Sequence, residues 1–78
     1  MNAVGAVPLY GGQTMGWIVE GVPVSLHKIT SEKKLVIAVP YRAFDKLSDD
    51  AILRLLDFVH LVAERFRKVV PEGWQVCE

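Results

Sequence analysis

The sequence predicts an α+β domain, an antiparallel β-meander of three to four strands followed by one long C-terminal helix packed on the sheet. Three observations point there. Short β-type runs punctuated by Gly and Pro occupy the chain as far as Tyr41. An apolar period of about 3.6 residues then takes over and holds from Ser48 to Val70. No repeat, charge block or low-complexity stretch divides the two parts, so the 78 residues form one domain, with sheet over about 7–41 and helix over about 48–70.

Gly16–Glu20 (GWIVE) is rich in strand formers, and Val22–Ile29 (VPVSLHKI) alternates, with Val22, Val24 and Leu26 on one face. Glu20 and Gly21 between them suit a tight turn, because Gly accepts a positive φ. Pro23 removes a ladder donor, so its strand is expected to bulge or to turn that nitrogen away from a neighbour. Thr30–Lys33 makes a polar hairpin connection. In the third run, Lys34–Tyr41 (KLVIAVPY), alternation is lost, which implies cover on both faces. One helix covers one face only, so the segment around Val7–Tyr10 or a second subunit is expected over the other. Tyr41–Leu47 connects to the helix, with Phe44 plugging the core beneath it. Trp74 and Val76 are placed to return as a short edge strand.

In the helix, Ile52, Leu55, Leu56, Val59, Val62, Ala63, Phe66 and Val70 share one arc, and Phe58 and Val69 widen it. Leu53 and Leu61 lie outside it among Arg54, Asp57, His60 and Glu64. Ser48 suits the N-cap, with Leu47 and Ile52 spaced as a hydrophobic staple. Asp49 and Asp50 favour the positive end of the helix dipole, and Arg65, Arg67 and Lys68 the negative end. Asp50 with Arg54 and Glu64 with Lys68 have the spacing of i,i+4 ion pairs. Pro71 and Gly73 end the helix.

Composition removes several function classes. Cys77 is the single cysteine, so there is no internal disulfide and no thiolate metal cluster to offset the marginal core of so short a chain. Nine basic residues balance nine acidic ones, which leaves no net field to draw the chain to phosphate backbones. No apolar stretch approaches the roughly 18 residues of a membrane span, and the opening lacks the basic region of a signal peptide. No membrane association is expected, and the cytoplasm is the expected compartment.

Gly11-Gly12-Gln13 resembles the tripeptide with which class I peptide-chain release factors position water for ester cleavage. The likeness ends at three residues, without the basic surfaces those proteins carry for ribosomal RNA, and a flexible turn is the plainer reading. Asp57, His60 and Glu64 share one side of the helix, a set that suits a divalent metal only if further ligands join it. Solvated helix faces produce such triplets routinely, so no metal, cofactor or catalytic residue is expected.

The excess apolar surface carries the functional expectation, a non-enzymatic interaction or regulatory module that forms a homo-oligomer or serves as an accessory subunit. Its expected interface residues are Leu53, Phe58, Leu61, Val62, Val69 and Trp74. The second reading is a nucleic-acid-binding domain that stacks bases on Trp17, Tyr41, Trp74 and Tyr10, beside Lys28, Lys33, Lys34 and Arg42. Residues up to Phe44 hold four basic side chains against two acidic ones, and zero net charge over the whole chain weighs against this reading.

Overall fold

The computed structural model describes Gly5–Ala6 and residues 13–78. Its elements are β1 (Gly5–Ala6), β2 (Gln13–Val19), β3 (Val22–Ile29), β4 (Lys34–Ala38), α1 (Asp49–Arg67) and β5 (Gln75–Cys77), joined by 3₁₀ turns at Thr30–Glu32 and Tyr41–Lys46. The strands lie in the order β1-β2-β3-β4-β5, and the first four pair antiparallel, as a meander must. The segment around Val7–Tyr10 expected over the other face and the Gly11-Gly12 turn lie outside the described residues.

Turn chemistry fixes the register of the central hairpin. Glu20 and Gly21 have φ of 53° and 76°, the pair of positive values that a tight two-residue turn needs, and Val19 faces Val22 across it. That flanking pair exchanges hydrogen bonds, so the next pair, Ile18 with Pro23, does not, and the proline nitrogen points away from β2. It points to the β4 side, where pairing with β3 begins only at Ser25 with Ala38. The proline is thus accommodated without a bulge. The bulge lies instead at the other end of β2, between Gln13 and Met15. Strand β4 stops at Ala38, short of the expected Tyr41, and Pro40 lies beyond the end of the ladder.

The sheet is mixed rather than antiparallel throughout. The C-terminal segment does return as an edge strand, but α1 intervenes as a crossover, so β5 runs parallel to β4, with Val76 beside Leu35 and Cys77 beside Val36.

Helix α1 begins where its signals place it. The Ser48 hydroxyl accepts from the Ala51 amide at 3.2 Å, with Asp49 and Asp50 in the first turn. It ends at Arg67, three residues before Val70, and the chain turns through Lys68–Val70 before Pro71 and Gly73, whose φ is 89°. Its buried residues are Ala51, Leu55, Phe58, Val59, Val62 and Ala63, so the core-facing arc is rotated toward Phe58 and away from Leu56, roughly 40° from the expected centre. Trp17 explains the rotation. Its ring meets Phe58 edge to face, with centroids 5.7 Å apart and planes at 71°. The helix packs on the face formed by Val19, Val22, Val24, Leu26, Leu35 and Ile37, all buried, and Phe44, Leu47, Phe66 and Trp74 close the margins of this core.

The charges of α1 serve tertiary contacts to Glu20 and Glu78 and one i,i+3 pair rather than the expected i,i+4 pairs. Arg54 reaches the β2–β3 turn, where Nε and Nη2 donate to Glu20 Oε1 at 3.0 and 2.7 Å. Glu64 accepts from Arg67 at 2.6 Å, and Arg67 also donates to Glu78 at 2.9 Å. These bonds tie both ends of the helix to the sheet margins. The hydrogen bond from Arg54 holds the Glu20 carboxyl below its usual range, and bonds to Glu78 and then Glu64 raise the Arg67 guanidinium.

Candidate functional site

The rotation of α1 divides the expected interface residues. Leu53 and Leu61 stand on the outer flank, 60% and 44% exposed, and Leu56 joins them at 47%. Phe58, 9% exposed, and Val62, 6% exposed, belong to the core instead, against the sheet, because the helix turns them toward Trp17 and its neighbours. Val69, exposed beyond the helix end, and half-buried Trp74 line a hollow of about 260 Å³ with Phe66, Pro71 and Lys28. The expected single face is therefore two surface regions, with two of its members withdrawn into the interior.

Leu56 overhangs a cleft of about 690 Å³ between α1 and the end of β4, lined by Ile37, Val39, Phe44 and Val59 and rimmed by Asp57, His60 and Glu78. Glu78 is already engaged: it accepts from Arg67, and its other oxygen lies 3.6 Å from His60 Nδ1. Glu64 is drawn to Arg67, away from the Asp57 and His60 pair with which the helix wheel groups it. Among the described residues no three His, Cys, Asp or Glu side chains come together in a group that could hold a metal.

The opposite face of the sheet is open among the described residues, since α1, the Tyr41–Lys46 turn and the Trp74 segment all pack on the other side. Register places Ile18, Ser25, His27, Ile29, Val36, Ala38 and Cys77 there, most of them half-buried in the way of a sheet with no second layer. Two polar contacts on it are made within the chain. Ser25 Oγ and His27 Nε2 share a hydrogen bond of 2.9 Å, and Lys34 Nζ lies 3.1 Å from Glu32. The loss of alternation in Lys34–Tyr41 is the sequence signal of this second apolar face, since Val36 and Ala38 supply it.

Among the described residues, outside which Tyr10 lies, the aromatics and bases of the nucleic-acid reading are dispersed. Trp17 and Trp74 pack on the helix side, and among the described residues the open face carries no Trp, Tyr or Phe. Lys28 and Lys34 point to opposite faces, and Arg42 lies at the far end of the sheet beside Pro40. No helix of the described residues is long and apolar enough to cross a membrane. No protein-family model matches this chain, and neither does any curated protein or solved structure.

Proposed function

We propose that this chain is a small non-enzymatic interaction or regulatory module of the cytoplasm, working as a homo-oligomer or an accessory subunit and making contact through the outer flank of α1. The observation that supports it most directly is the exposure of the leucines at 53, 56 and 61, each more than two-fifths exposed and spread over about 140° of the outer side of a helix tied by ion pairs to Glu20 and Glu78. Large apolar groups on an ordered element cost little entropy to bind. Val69 and Trp74, around their hollow, extend the contact at the helix end.

Leu61→Glu places a charge in this flank without touching the core. Light scattering after size exclusion, with capture of partners on immobilised chain, should show at least one assembly lost at unchanged far-ultraviolet circular dichroism. A variant that keeps its mass and every captured partner overturns the helix-flank contact.

A further inference from the structure

We infer that the sheet face left open among the described residues is the seat of a second copy of this chain, stacked sheet to sheet, which leaves the exposed leucines of α1 for a different protein. This rests on the reading of the chain as an interaction module and assigns its two apolar surfaces to separate tasks.

Charge and polarity argue for a copy rather than a foreign protein. Ile18, Ile29, Val36 and Ala38 dominate the face, and the one formal charge that register places on it, Lys34, sits at its corner against Glu32. Such a face does not repel itself and offers little charge pattern for a foreign partner to match. Ser25 and His27 share one hydrogen bond, so covering the face leaves only one of their two donors for the partner copy to satisfy. Two such sheets stack about 10 Å apart in a layered α/β/β/α arrangement. Relief supports the fit, because the row Gly16, Ser25, Ala38 is low while the adjacent row His27, Val36, Cys77 stands higher, and a two-fold axis can set the ridge of one copy beside the trough of the other.

Area decides how tight the pair should be. Strands of two, seven, eight, five and three residues, at about 4.8 Å spacing and about 3.3 Å rise, give a face of roughly 400 Å², below the ~800 Å² per partner of a standard interface. The expected dimer is one that dilution dissociates.

Cys77 supplies an internal reporter, because register puts the single thiol of the chain on this face beside Val36. Absolute mass is measured by light scattering from millimolar to micromolar concentration for wild type, Val36→Lys and Leu61→Glu. The rate of Cys77 with a disulfide reagent such as dithionitrobenzoate is followed over the same range. The expected result is a twofold mass for wild type and Leu61→Glu that falls on dilution, a single-copy mass for folded Val36→Lys, and a thiol several-fold slower when concentrated. Dimers lost in Leu61→Glu but kept in Val36→Lys overturn the inference and leave the helix-flank reading standing. Single copies at every concentration also overturn it, and the helix flank is then judged by partner capture. If Val36→Lys does not fold, the wild-type thiol decides, and a rate independent of concentration refutes the stacked pair.

Discussion

The two faces of the sheet are built from similar residues and end in different states. Toward α1, Val22, Val24, Leu26, Leu35 and Ile37 are buried; on the reverse, Ile18, Ile29, Val36 and Ala38 are only half-covered. Strand chemistry is therefore not what separates core from surface here. A β-branched side chain on a pleated face becomes core only when a second layer arrives, and among the described residues one helix serves two faces.

The sharpest way to break the comparison lies at the margin of the helix. Phe58→Ala should cost about 3–5 kcal/mol in urea unfolding, while Leu56→Ala, two residues away on the other side of the helix and 47% exposed, should cost under about 1 kcal/mol. Equal losses would put the helix in the phase expected from its pattern instead of the one described. On the sheet, Leu26→Ala should lose about 2–5 kcal/mol, and Val36→Ala on the reverse face, in dilute solution, much less. Comparable values would mean that the reverse face is already covered within one chain. Ser48→Ala, which removes the acceptor for the Ala51 amide, should lower stability by about 1 kcal/mol, read as a shift in the urea midpoint.

The smallest effect is a pH dependence. Because Arg54 lowers the Glu20 carboxyl in the folded chain, that contribution is complete above the unfolded carboxyl range, near pH 4.3, and is lost as pH falls through the lower folded value. The stability difference between wild type and Glu20→Gln should therefore be constant at neutral pH and shrink only in acid. A difference that grows as pH falls would show that the pair does not form as described.

Local signals were legible in the sequence and non-local ones were not. Ser48, Gly21 and Pro23 announce a cap, a turn and a restricted pairing within a few residues, and the structure uses each of them. The direction of β5 was hidden because it depends on the whole crossover through α1. The fate of Phe58 was hidden because it depends on Trp17, more than half the chain away. Arg54 was spaced for Asp50 and bonds Glu20, since a neighbouring turn offers a better carboxylate than the helix does. For the same reason the candidate interface was half legible. Leu53 and Leu61 are at the surface because of where they stand on the helix, Val69 because the helix ends before it, and Val62 lies inward with the arc to which periodicity assigns it, while Phe58, at the edge of that arc, is taken inward by its contact with Trp17.

The parallel seating of β5 also orders events in time. The hairpins of β2, β3 and β4 close loops of two and four residues, whereas β5 has no place to dock until α1 and both of its connections are laid across the sheet. It is three residues long and paired on one side only, so it should zip last and open first. Its amides are then the first to exchange with solvent deuterium while the meander remains closed.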